Sequence, residues 1–173
     1  NERNKVLKFY RKNQTPVVDF ETKNYMRLLN TNSYQKGAWF LHMLRHKIGD
    51  ENFKKGVQSY YKKYAFRNAS TQDLNMVMNN VSNSNLNTFF TQWLFKSGHP
   101  VLKINWIYGK DKLRIIVKQT QEIPFEFPLD LELVDLTGNK EIKTINVTNK
   151  DEAFVIETSI EVKKINLDPN TKL

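Results

Sequence analysis

Two histidines stand four residues apart, at His42 and His46. On a helix both imidazoles would share one face, the spacing at which two side chains hold a zinc ion. Zinc-assisted hydrolysis at such a site also needs a glutamate directly after the first histidine, as general base for metal-bound water. Met43 occupies that position, and neither His99 nor any carboxylate is placed to supply a third ligand. The expectation is therefore a pair of packed helix histidines and no metal site in this chain. Cysteine is absent, which excludes a disulfide scaffold, a thiolate metal site and a cysteine nucleophile. There is no glycine-rich phosphate loop, and no Ser/His/Asp set stands out. Asn-x-Ser/Thr sequons at Asn13, Asn68, Asn80 and Asn146 carry little weight in a chain with 20 asparagines. On residue chemistry alone this is a non-catalytic α-plus-β chain.

The net charge of +9 is unevenly spread. Residues 1–98 hold 16 basic and 6 acidic side chains, residues 99–173 hold 11 and 12. A basic half suggests nucleic acid, an acidic partner or anionic lipid. Yet 21 of the 27 basic residues are lysine, whereas arginine is the usual reader of phosphates and base edges. No nucleic-acid partner is expected. With 173 residues the chain makes one domain or two small ones. No apolar run approaches the roughly 20 residues of a membrane span. Asn1 to Val6 is not a signal peptide, and its abrupt polar start suggests a piece of a longer protein, which leaves the compartment open.

Helical periodicity dominates up to residue 98. Val6, Phe9 and Tyr10 share a face in a segment that Pro16 is expected to end. Asn32 and Ser33 are N-cap candidates, with Gln35 placed as in a capping box. A helix follows to about Ile48, with Trp39, Phe40, Met43 and Leu44 on its apolar face and Gly49 as its stop. Asp50 should cap a helix carrying Phe53, Val57, Tyr60, Tyr61 and Tyr64 inward. Ser70 with Asp73 opens a third helix, burying Leu74, Val77 and Met78. Asn85 opens a fourth, with Leu86, Phe89, Phe90, Trp93 and Leu94, closed by Gly98. After His99-Pro100 the period changes to two. Six short strands are expected, at about 101–106, 113–118, 127–134, 142–147, 153–157 and 162–167, as in an antiparallel sandwich or barrel. With no linker near residue 99, the two units are expected to pack together.

The stretch Ser33-Tyr34-Gln35-Lys36-Gly37-Ala38-Trp39-Phe40-Leu41-His42-Met43-Leu44-Arg45, continuing to Gly49-Asp50-Glu51-Asn52-Phe53, resembles the zinc metallopeptidases of the aminopeptidase N and leukotriene hydrolase family (gluzincins). So do Ser70-Thr71-x-Asp73-Leu74 and Asn85-Leu86-x-x-Phe89-Phe90-x-Gln92-Trp93-Leu94-x-x-x-Gly98-x-Pro100. The resemblance implies an α+β chain of two units. Residues 1–99 would be the helical C-terminal part of the peptidase catalytic domain, lacking the zinc site, and residues 100–173 an antiparallel β-sandwich domain.

The resemblance also implies a C-terminal fragment of a zinc-dependent aminopeptidase that removes N-terminal residues from peptides. The family's zinc ligands, general base and amine-gripping motif have no match here. Zinc belongs to the intact enzyme, with no metal or cofactor ligand expected in this chain, which alone should be inactive. Tyr34 matches the family's catalytic tyrosine. A phenol keeps its proton at neutral pH and can donate to an oxyanion; in the family it bonds the tetrahedral intermediate of peptide hydrolysis. Gln35 stands where many members have glutamate. Trp39, Phe53, Phe89, Phe90 and Trp93 are expected in the core. The implied partners are a peptide substrate and the upstream part of the same catalytic domain, whose absence would uncover an apolar face and favour self-association. The alternative is an independent binding or scaffolding module with a basic face.

Overall fold

The computed structural model describes residues 2–173, with side chains from residue 4 onward. The chain divides into two compact units between Gly98 and His99.

In the first unit, helix α1 spans Glu2–Tyr10. It stops six residues short of Pro16, where the N–H groups of Lys12 and Asn13 both turn back to Phe9 O at 3.0 Å. Helix α2, Gly37–Ile48, buries Phe40, Met43, Leu44 and Ile48, the i, i+3, i+4, i+8 stripe of an amphipathic helix. Gly49 ends it at φ +82°, a backbone that favours glycine, and its N–H donates to Arg45 O at 2.9 Å. Helix α3, Asp50–Tyr64, follows at once. Asp50 makes no cap. Its carboxylate instead takes both prongs of the Arg45 guanidinium, Nε at 2.8 Å and Nη2 at 2.7 Å.

The inward stripe of α3 also differs from expectation. Val57 and Tyr61 face solvent, while Phe53, Gly56, Tyr60 and Tyr64 turn inward. The reason is Gly56. Helix α4, Thr71–Ser82, approaches so closely there that a Cβ on Gly56 would lie 2.4 Å from Met78 Sδ. A glycine thus counts as an inside position, which hydrophobic periodicity does not register. Ser70 and Asp73 form a full capping box at the start of α4. Asp73 also accepts from the Tyr64 hydroxyl at 2.9 Å, joining the end of α3 to the start of α4. Bonds from Ser70, then from Tyr64, hold the Asp73 carboxyl below its ordinary pKa. Asn85 Oδ1 accepts from Asn87 N at the short helix α5, Asn87–Phe90, which runs into a π-helical turn, Thr91–Phe95. Phe40 meets Phe90 edge-on with ring centres 4.9 Å apart. Phe90, Trp93 and Leu94 are buried, while Trp39, Phe53 and Phe89 are half-buried.

The second unit holds six strands: β1 Leu102–Gly109, β2 Lys112–Gln119, β3 Phe127–Val134, β4 Lys140–Val147, β5 Asp151–Glu157 and β6 Lys164–Leu167. They form two three-stranded antiparallel sheets, ordered β1-β2-β5 and β4-β3-β6. Alternate residues face a shared apolar interior: Leu113, Ile115 and Val117 from β2, and Leu129, Leu131 and Leu133 from β3, are all nearly inaccessible. The β1–β2 hairpin turns on Lys110 and Asp111, both at positive φ, as a two-residue loop between twisted strands requires. Gln119 lies fully inside this unit. Its Nε2 donates to Phe125 O at 2.8 Å and Asn149 O at 3.0 Å, and its Oε1 accepts from Phe125 N at 2.9 Å. One side chain therefore ties the β2–β3 loop to the β4–β5 turn. The architecture is α+β, a helical unit followed by an antiparallel β-sandwich.

Candidate functional site

Tyr34 sits in a π-helical turn, Asn32–Lys36, that leads into α2. The Gly37 N–H reaches back to Asn32 O, five residues away, and Tyr34 N donates to Asn30 O at 3.1 Å. Turns of this kind are rare and recur at functional sites. The expected cap at Asn32 is displaced. Asn30 Oδ1 instead accepts from Asn32 N at 2.8 Å, and the Ser33 hydroxyl donates to Leu28 O.

Asn32 is free of capping duty because its side chain is turned inward. It is only 2% exposed, and its Nδ2 donates to Thr15 O at 2.7 Å, with Thr15 Oγ1 at 3.1 Å and Pro16 O at 3.3 Å. Lys36, at the other end of the turn, is 7% exposed and donates from Nζ to Gly98 O at 3.0 Å. Burial pushes its amine down to about 8, because desolvation disfavours the ammonium. Tyr34, between them, is 59% exposed. The turn thus presents one phenol outward while its two flanking polar side chains hold it to the body of the unit.

Sequence reasoning picked out Tyr34 and passed over both anchors. The signal for Lys36 was present. It lies four, seven and eight residues before Phe40, Met43 and Leu44, on the buried stripe of α2 extended backward by one turn. A lysine on an apolar stripe asks for a partner. Asn32 left no comparable trace.

His42 and His46 do share one face of α2. Their rings meet edge-on with centres 4.5 Å apart, and Trp39 packs on His42 at 5.3 Å. Among the described residues no cluster of three His, Asp or Glu side chains is placed to hold a metal ion. Among the described residues no donor set of the size a catalytic zinc needs is assembled.

Ahead of Tyr34 lies an exposed apolar stretch: Phe20, Tyr25, Met26 and Leu29 are between 57% and 81% accessible. Tyr25 and Met26 lie in a single 3₁₀ turn, Tyr25–Leu28, opened by Asn24 and closed by Leu29.

Comparison with known proteins places this geometry. Residues 7–93, half of the chain and the part holding Tyr34, match the peptidase family M1 domain. The chain is 30% identical over 154 residues to tricorn protease-interacting factor F2 of Thermoplasma volcanium, covering 84% of this chain and 18% of that protein. It is 27% identical over 141 residues to a leucyl aminopeptidase of Saccharolobus solfataricus, covering 79% and 17%. The crystal structure of Legionella pneumophila aminopeptidase A in complex with aspartic acid superposes with a TM-score of 0.74 at 20% identity, over 88% of this chain and 18% of that one. The chain therefore spans under a fifth of the length of each. The matched domain, and the aminopeptidases among its relatives, make this chain a member of peptidase family M1.

Proposed function

We propose that this chain is the C-terminal part of a zinc-dependent aminopeptidase, in which Tyr34 donates a hydrogen bond to the oxyanion of the hydrolytic intermediate. Residues 1–99 then belong to the catalytic domain and residues 100–173 form the β-sandwich domain after it. The observation that carries the reading is the coincidence of two facts. The family match spans Tyr34, and Tyr34 is the side chain that the anchored turn directs outward.

As a peptide carbonyl becomes tetrahedral, its oxygen gains charge. A donor already fixed in place stabilises that charge without reorganising at the moment of reaction. When bound, zinc would supply the activated water, and its ligands would come from parts of the enzyme outside this chain. The substrate is a peptide with a free N-terminus, and this chain alone does not hydrolyse it.

The test is Tyr34→Phe in the full-length enzyme, assayed on an aminoacyl p-nitroanilide. We expect kcat to fall by about 10²–10³, with zinc content unchanged. Normal turnover removes Tyr34 from the mechanism. Hydrolysis by the isolated 173-residue chain would equally overturn the claim that it is inactive alone.

A further inference from the structure

Lys36 is an expensive choice at its position. Its stem continues the apolar stripe of α2, and its ammonium is buried against a neutral carbonyl, that of Gly98. A carbonyl compensates a desolvated ammonium poorly, and an apolar residue of similar length would pack there at lower cost. Departures of this kind collect where function needs them. Asn32 repeats the pattern on the other side of the tyrosine, a buried amide spent on Thr15 O and its neighbours. Both anchors are two residues from Tyr34, and both reach acceptors distant in sequence, 62 residues away for Lys36 and 17 for the Asn32–Thr15 bond.

We propose that Lys36, with Asn32 as its counterpart, is a positioning residue for Tyr34. The two buried side chains clamp the 32–36 turn to Gly98 and to Thr15-Pro16, and so set the direction in which the phenol projects. The inference rests on the reading of Tyr34 as the oxyanion donor. An oxyanion donor works only within a narrow range of distance and angle, and a displacement of about 1 Å costs on the order of 10²-fold in rate. The clamp supplies that definition at a site whose own side chain is mostly solvated.

The test uses the full-length enzyme with Lys36→Met, Tyr34→Phe and the double variant. Methionine keeps the length and the apolar stem of Lys36 and removes the donor. The expected result is a fall in kcat of roughly tenfold to hundredfold, with KM and zinc content unchanged and the denaturation midpoint not lowered. A residue that merely supports the fold could not lower kcat while stability holds or rises. In the Tyr34→Phe background, Lys36→Met should lower kcat less than about twofold, since there is no hydroxyl left to aim.

Unchanged kcat in Lys36→Met beside a slow Tyr34→Phe overturns the positioning role and leaves the tyrosine reading standing. Fully additive losses in the double variant also overturn it. Normal turnover by Tyr34→Phe removes the tyrosine reading itself, and the inference with it. Should Lys36→Met not fold, Asn32→Leu removes the other anchor. It must show the same loss of kcat and the same dependence on Tyr34.

Discussion

The Lys36 ammonium donates to the carbonyl of Gly98, so the first residue after the tyrosine turn's centre line to be buried is bonded to the last residue of the helical unit. Its depressed pKa makes stability depend on pH in a definite sense. The folded value is about 8 against an ordinary 10.5, with burial as the cause. The charged form is therefore disfavoured in the folded state. The penalty is present in full below pH 8 and is relieved as pH rises from 8 to 10.5. At most it is about 3 kcal/mol. Urea midpoints of the wild-type chain and Lys36→Met, compared at pH 7 and pH 10, isolate it from the other lysines. Lys36→Met should gain less stability than wild type over that interval. Equal gains would show that Lys36 titrates normally.

Gly56→Ala places a methyl group against the Met78 thioether, and Met78 has no exposed surface through which to retreat. Alanine gains about 1 kcal/mol of helix propensity, but overpacking costs about 1–3 kcal/mol. Net destabilisation is expected, read as a lower Tm, with partial recovery in Gly56→Ala/Met78→Val. An unchanged Tm would mean that Met78 swings aside freely.

Gln119→Leu keeps the volume of the side chain and removes every bond it makes. The N–H and C=O of Phe125, the C=O of Asn149 and the Gln121 amide would each lose this bond. A hydrogen bond of this kind contributes about 0.5–1.5 kcal/mol net, so a loss of about 2 kcal/mol or more in chemical denaturation is expected. A loss under about 1 kcal/mol would show that water replaces the amide.

Glu152 is one of several carboxyls in the second unit held below their ordinary pKa. Desolvation pushes its pKa up, but bonds from the backbone of Asn149 and Thr148 and from both side chains outweigh it and hold the carboxyl at about 2. The folded value lies below the ordinary 4.5, so the stabilisation is complete above pH 4.5 and is lost as pH falls toward 2. Glu152→Gln should lower Tm at pH 7 and narrow the gap to wild type near pH 2. A gap independent of pH would remove Glu152 as the cause.

Exposed Phe20, Tyr25, Met26 and Leu29 should drive self-association of the isolated chain. Light scattering at increasing concentration should show a rising mass, reduced by Phe20→Ser with Met26→Ser. A monomer at millimolar concentration would contradict this.

The strands were the most legible part of the sequence. In β2 Leu113, Arg114 and Ile115 alternate in type as they do in burial because one face of the sheet is solvated, although apolar Ile116 is exposed and polar Gln119 is buried. Ser70 and Asp73 were legible because a capping box is a local motif. The departures arose where a specific partner, close in sequence for Asp50 and far away for Asn32 and Gly56, overrode a simple local rule. Asp50 reads as a cap until Arg45 takes its carboxylate. Asn32 reads as a cap until Thr15 takes its amide. Gly56 reads as neutral until Met78 arrives. At the candidate site, Tyr34 was singled out by a family motif, whereas its anchors depend on contacts between residues far apart in the chain.

That separation bears on synthesis as well as on rate. Translation at about 5–20 residues per second delivers Gly98 some 3–12 s after Lys36, given the 62 residues between them. Throughout that interval the nascent turn has an ammonium with no carbonyl to receive it. The acceptors of Asn32, by contrast, precede it in the chain. On the proposed role of Lys36, the clamp on the Tyr34 turn is complete only once residue 98 has been made.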